Sequence, residues 1–238
     1  MEQETNQQQL RVLVIAAHPD DIEFGVGGSL ARWTDEGASV TLCLITDGSA
    51  GSNDPNVDSA SLIATRQAEQ RAAAAILGVS DIRFLGYRDG TLQPTIELRR
   101  ELTRLIRELK PQRVVCQDPT TVFVEDGYIN HPDHRAAGEA AIYAVFPSAE
   151  TRPIFPELLA EGFEPHHVDE LYLMMNMAPN HYVDISSGID RKIQALLCHR
   201  SQLGPEVEEG VRKWAIEDGK AANLPMAEGF RVMTFRRS

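Results

Sequence analysis

From residue 11 to residue 146 short β-branched runs alternate with longer stretches of helical period, and few architectures accept that rhythm. Arg11-Val-Leu-Val-Ile-Ala-Ala17 is apolar without interruption, as a strand buried on both faces must be. It stops at His18-Pro19, because proline donates no ladder hydrogen bond and restricts the residue before it. Gly25, Gly27 and Gly28 then read as loop, and residues 29–36 as a helix ended by Gly37. Further strands are expected over 40–46, 82–85 and 113–117, with helices over 59–77, 97–109 and 131–146. Beyond 146 the rhythm loosens: strands are expected over 171–177, 182–185 and 230–236, and helices over 188–199 and 207–220. Strand–helix alternation of this kind predicts an α/β fold, a Rossmann-like, mostly parallel, doubly wound sheet with helices on both faces and a more irregular C-terminal part. The expected organisation is a flexible arm over 1–10 and a single domain over 11–238, a length sufficient for one large core.

Charge narrows the partners. A formal net charge of −12 argues against nucleic acid, whose phosphates need a basic footprint, and against anionic membranes. No apolar run reaches the ~20 residues of a membrane span, and the polar start resembles no secretory leader, so no membrane insertion and a cytoplasmic location are expected. Cys43 and Cys116 lie inside apolar runs and read as core residues, and Cys198 is remote from both.

In doubly wound sheets ligands bind outside the carboxyl ends of strands. Two clusters sit there: Ala17-His18-Pro19-Asp20-Asp21 after the first strand, and His131-Pro132-Asp133-His134 some way after the fourth. His18 and Asp21 are three apart at a strand-to-helix turn, and His131 and His134 share one face of a helix start. Imidazole and carboxylate in this number suit a catalytic divalent metal, Zn²⁺ by default, with the surplus supplying acid and base. Fe²⁺ or Co²⁺ would satisfy the same donors. A lone His-Pro-Asp is ordinarily a turn whose Asp caps a helix; two at matching strand ends point to a metal site, although spacing alone names no reaction.

Residues 17–28 (AHPDDIEFGVGG) and 131–136 (HPDHRA) closely resemble the LmbE/PIG-L family of metal-dependent N-deacetylases. Thr46-Asp47-Gly48, Arg66 to Glu69, Phe84-Leu85-Gly86 with Asp89, Pro179 to Ile185 and His199 to Gln202 resemble family segments in the family's order. The resemblance implies hydrolysis of an N-acetyl group on a small N-acetylated amino sugar of the N-acetylglucosamine type. It implies His18, Asp21 and His134 as metal ligands and Asp20 as general base. His131 would stabilise the oxyanion and protonate the amine as a cation, and Asp133 would orient His131 or cap the helix. A matching Arg in the family contacts substrate, which makes Arg66 a substrate-binding candidate; its alternative is an ion pair with Glu69. Asp47 and Asp89, at the ends of strands two and three, are candidates for sugar hydroxyls or plain turn residues, and Tyr128 for the oxyanion site. His166, His167, His181 and His199 are assigned to packing or loop hydrogen bonds. Family members are often homo-oligomers, and the same is expected here.

The alternatives are an amidase for a glucosamine-linked thiol conjugate and a catalytically silent sugar-binding homologue. An Fe(II) oxygenase is disfavoured because His-x-x-Asp at a turn is not its usual spacing. A dinucleotide site is disfavoured because Gly25 to Gly28 lacks Gly-x-Gly-x-x-Gly.

Overall fold

The computed structural model describes residues 9–124 and 126–235. The chain runs through β1 (Arg11–Ala16), α1 (Asp21–Asp35), β2 (Ser39–Thr46), α2 (Ser59–Ile76), β3 (Asp81–Tyr87), α3 (Ile96–Leu109) and β4 (Arg113–Gln117). A small hairpin, β5 (Phe123–Val124) and β6 (Tyr128–Ile129), leads into α4 (Pro132–Tyr143) and the short α5 (Glu157–Ala160). The last part holds β7 (Glu170–Met174), β8 (His181–Asp184), α6 (Ile189–Leu196), α7 (Val207–Ala222) and β9 (Ala227–Thr234).

Seven strands form one sheet in the order β3-β2-β1-β4-β7-β9-β8. The first five in that order are parallel, and β9 runs antiparallel between β7 and β8. β1 is central, with Val14 opposite Leu42 of β2 and Val115 of β4. Its alternate residues therefore feed two cores. Val12, Val14 and Ala16 pack with α1, α2 and α6, whereas Leu13, Ile15 and Ala17 pack with α3 and α4. Both faces being covered is why the run is continuously apolar, and each fully buried aliphatic side chain contributes roughly 1.5–3 kcal/mol. The doubly wound, mostly parallel sheet read from the sequence is thus present, and the strand order reverses at β1 and β4, where a ligand crevice forms.

Some boundaries differ. α1 begins at Asp21, eight residues before the expected start, and carries Gly25, Gly27 and Gly28 within it. These glycines are there for contact rather than for a turn. A Cβ on Gly28 would lie 2.7 Å from Ile185 Cβ, one on Gly27 3.2 Å from Lys192 Cγ, and one on Gly25 would collide with Met174. Glu228 of β9 reaches the same stretch, accepting from the Gly28 and Ser29 N–H groups at 2.8 Å while Lys192 Nζ donates to it at 2.6 Å. The helix expected over 131–146 ends at Tyr143, because the chain turns extended at Phe146 (φ −139°, ψ 130°) before Pro147. The final strand starts at Ala227 and ends at Thr234; Arg236, which was expected in it, lies outside the described residues. Of the expected arm, residues 1–8 lie outside them too, while Leu10 already packs on the core. No helix among the described residues is long and apolar enough to cross a membrane.

Candidate metal centre and active site

The segments that follow β1, β2 and β3 and the first turn of α4 meet in an open cleft of about 260 Å³. His18, Asp20, Asp21, Arg66, His131 and His134 line it, with Asp89 below and the exposed Tyr128 ring, carried by the β5–β6 hairpin, at the rim. The rings of His18, His131 and His134 lie 4.7–5.4 Å apart, centroid to centroid. Two segments more than a hundred residues apart in sequence thus form one site.

Donor atoms of His18, Asp21 and His134 all fall within 4.8 Å of one another. His134 Nε2 lies 3.0 Å from Asp21 Oδ1, and His18 Nδ1 lies 3.2 Å from Asp21 Oδ2. The other nitrogen of His134 sits 3.1 Å from Asn130 Oδ1, which fixes a donating Nδ1–H and leaves the Nε2 lone pair facing Asp21. Gln117, at the end of β4, does the same for the carboxylate: its Nε2 donates to Asp21 Oδ2 at 3.1 Å and its Oε1 accepts from the Ala17 N–H at 3.0 Å. His18, His131 and Asp133 make a second close set. There the carboxylate is already engaged, accepting from the Gly90 and Leu92 N–H groups at 2.7 and 3.1 Å. In the first set Gln117 and the His18 N–H engage Asp21 Oδ2 and leave Oδ1 facing His134 Nε2, an arrangement of imidazole and carboxylate donors that fits a divalent cation.

The electrostatics agree. Burial disfavours charge on His18, yet Asp21, Asp133 and Asp89 together push it up to about 12. Asp21 is held well below the usual carboxylate range, because the pull of His134 and His18 exceeds the penalty of burial. Burial raises Asp89 and Asp133 as well, but His18 and backbone N–H groups bring both below the ordinary value. Carboxylates that drive an imidazole this far form a site built for positive charge.

Asp20, directly before α1, has a left-handed backbone (φ 95°, ψ −30°), a conformation that costs roughly 1–3 kcal/mol outside glycine. Burial and the neighbouring Asp21 raise its carboxyl to about 7, against the opposing pull of Arg66 and His199. Arg66 is itself buried. It donates to Pro19 O at 2.8 Å and Gly48 O at 3.0 Å and lies 3.3 Å from Asp20 Oδ2. It therefore braces the turn rather than pairing with Glu69, which instead accepts from Ser201.

His131 caps α4: its Nδ1 accepts from the Asp133 N–H at 3.2 Å, which leaves the ring proton on Nε2. Burial together with His18 pushes its pKa below the ordinary imidazole value in the metal-free protein. The Asp133 carboxylate does not hydrogen-bond His131; it faces His18 Nε2 at 3.4 Å and holds the 90–92 turn. Asp89 likewise faces His18 Nε2, at 3.1 Å, and accepts from the Ala50 N–H. Asp47 is a turn residue, accepting from Ser49 N and Asp89 N, and does not line the cleft.

Sequence reasoning missed Gln117, Asn130 and Gln70, whose amides orient neighbours and carry no spacing signature. Asn130, immediately before the second cluster, was the most accessible clue. His199 does make a hydrogen bond, to Glu23 Oε2 at 3.2 Å.

A family model described as PIG-L, GlcNAc-PI de-N-acetylase, matches residues 13–145. The chain is 37% identical over 229 residues to diacetylchitobiose deacetylase of Thermococcus kodakarensis, covering 94% of this chain and 83% of that protein. It is 30% identical over 234 residues to the 1D-myo-inositol 2-acetamido-2-deoxy-alpha-D-glucopyranoside deacetylase of Actinosynnema mirum, covering 81% of each. The solved structure of N,N'-diacetylchitobiose deacetylase from Pyrococcus horikoshii superposes with a TM-score of 0.88 at 32% identity, over 98% of this chain and 86% of that one.

Proposed function

This chain belongs to the PIG-L (LmbE-like) family, and from that premise we propose that it is a metal-dependent N-deacetylase acting on a small N-acetylated glucosamine conjugate. The observation that carries the reading is that Asp20 and His131 share one open cleft with the His18, Asp21 and His134 donors. A Zn²⁺ ion held by those three residues would polarise an amide carbonyl and make a water molecule easier to deprotonate.

The protein's own groups account for the proton movements. Asp20, with its carboxyl near 7, accepts the proton of the attacking water at neutral pH. His131 presents Nε2–H to the carbonyl oxygen as negative charge develops there, a role that a neutral imidazole fills. When the C–N bond breaks, the amine needs one proton, and Asp20 now holds one; the proton of the resulting acetic acid then passes to the amine, so that ammonium and acetate leave with charges balanced. Arg66 keeps the Asp20 carboxylate aimed from behind. The net charge of −12 and the names of the relatives both favour an uncharged amino-sugar substrate.

The test is acetate release by metal-loaded protein from N,N'-diacetylchitobiose, an N-acetylglucosaminyl inositol and N-acetylated amino acids. Turnover of the sugars is expected, falling by ~10²–10⁴ in Asp20→Asn, which keeps the shape but cannot take a proton. Hydrolysis of the amino-acid amides with none of the sugars would refute the substrate class; an Asp20→Asn variant within a few-fold of the parent would refute the base.

A further inference from the structure

The Pro19–Asp20 peptide group is gripped at both of its polar atoms by one face of α2. Its carbonyl oxygen accepts from Arg66 Nη2 at 2.8 Å, and its N–H donates to Gln70 Oε1 at 3.1 Å, from side chains one helical turn apart. Fixing that peptide plane fixes φ of Asp20, which stands at 95° where a side chain is seldom found.

Gln70 can do this only if its amide points the right way round, since oxygen and nitrogen exchange places on a flip. Its Nε2 donates to Glu23 Oε1 at 2.7 Å. That contact takes up the NH₂ end of the amide and leaves Oε1 for the Asp20 N–H. The second oxygen of Glu23 meets His199 Nε2 at 3.2 Å, and Glu23, Gln70 and His199 are all fully buried. None of the three lines the cleft, so none touches substrate.

We propose that His199, Glu23 and Gln70 form a positioning relay for the base: the ion pair sets the direction of the Gln70 amide, and that amide holds the Pro19–Asp20 peptide so that the Asp20 carboxylate is aimed at the attacking water. The proposal rests on the assignment of Asp20 made above. A network that merely filled a buried polar gap would affect stability and leave the chemistry alone. A relay affects turnover at full metal occupancy, because misplacing a reacting group by about an ångström costs up to ~10²-fold.

The variant to make is Gln70→Met, which keeps length and helix propensity while removing both hydrogen bonds. The expected result is unchanged metal content, a KM within about 3-fold of the parent and a kcat lowered by ~10-fold or more. Amide hydrogen exchange, read by NMR, should quicken at Asp20 and stay slow at Leu30 in the helix that follows. His199→Leu should lower kcat similarly and His199→Gln, which restores a donor to Glu23, should recover most of it. In the Gln70→Met/His199→Leu double variant the losses should not multiply, because both break one chain. A Gln70→Met enzyme with parental kcat and a still-protected Asp20 amide overturns the relay. Should the parent release no acetate from any amino sugar, the functional reading fails on its own account. The exchange measurement then decides the relay: quickening at Asp20 supports it, and no change refutes it.

Discussion

The same chemical change, glycine to alanine inside a helix, is expected to have opposite signs at two places in this protein. At Gly28 in α1 the added methyl carbon would lie 2.7, 2.8 and 2.8 Å from three carbons of Ile185, which is fully buried at the end of β8. Carbon pairs rest at ~3.5–4.0 Å, so α1 and the end of β8 must separate by about 1 Å or Ile185 must leave its rotamer. Overpacking costs ~1–3 kcal/mol, and with a stiff β-branched neighbour the upper end applies. Alanine recovers about 1 kcal/mol of helix propensity, for a net loss of ~2 kcal/mol. At this chain length that lowers Tm by roughly 4–8 °C. At Gly210 in α7 nothing lies within 4 Å of the new methyl, so only the propensity gain remains and Tm should rise by ~1–4 °C. Thermal unfolding of the two variants beside the parent, by circular dichroism, reads both signs. A Gly28→Ala protein as stable as the parent would refute the packing argument, and a destabilised Gly210→Ala would refute the account of propensity.

His134→Ala should lose stoichiometric metal by elemental analysis, whereas His131→Ala should keep it and lose ~10²-fold in kcat, as removal of an oxyanion donor does; metal loss from the His131 variant would make that residue a ligand. Because His18 sits at about 12 in the metal-free protein, it is protonated at any ordinary pH and must shed that proton to bind metal. Metal affinity should therefore rise by about tenfold per pH unit between pH 6.5 and 9, with proton release visible by calorimetry in buffers of differing ionisation enthalpy; a flat affinity would contradict the assignment. The same raised value stabilises the metal-free fold fully below pH 6.5, and that contribution is lost as pH climbs towards 12.

What was legible in the sequence was whatever repeats locally. The β-branched run of β1, stopped by His18-Pro19, announced a central parallel strand and put the first His/Asp cluster at its carboxyl end. The start of α1 was hidden, because Gly25, Gly27 and Gly28 look like a loop until Met174, Lys192 and Ile185 are seen pressing on them. Those neighbours come from β7, α6 and the end of β8, and such approaches leave no trace in a local window. The insertion of β9 between β7 and β8 was equally invisible, since strand pairing across long separations has no local pattern. At the site, residue types chosen for metal chemistry stood out by their spacing. Gln70, Gln117 and Asn130 did not, because an amide that orients a neighbour needs only to be within reach of it. Arg66 was noticed as a cleft residue, and its contacts to the Pro19 and Gly48 carbonyls are ones that no composition rule points to.

Glu228 joins α1 across a separation of 200 residues, and this has a consequence for the newborn chain. At ~5–20 residues per second, a ribosome needs roughly 10–40 s to travel from Gly28 to Glu228. Through that interval the glycine-rich stretch of α1 lacks the carboxylate that takes its N–H groups, and β8 has no strand beside it until β9 emerges. The glycine-rich stretch of α1 is thus among the earliest parts to be made and among the last to be secured. A chain stalled before Ala227 would carry Asp21 at the head of a helix whose glycine-rich stretch has no carboxylate to take its N–H groups.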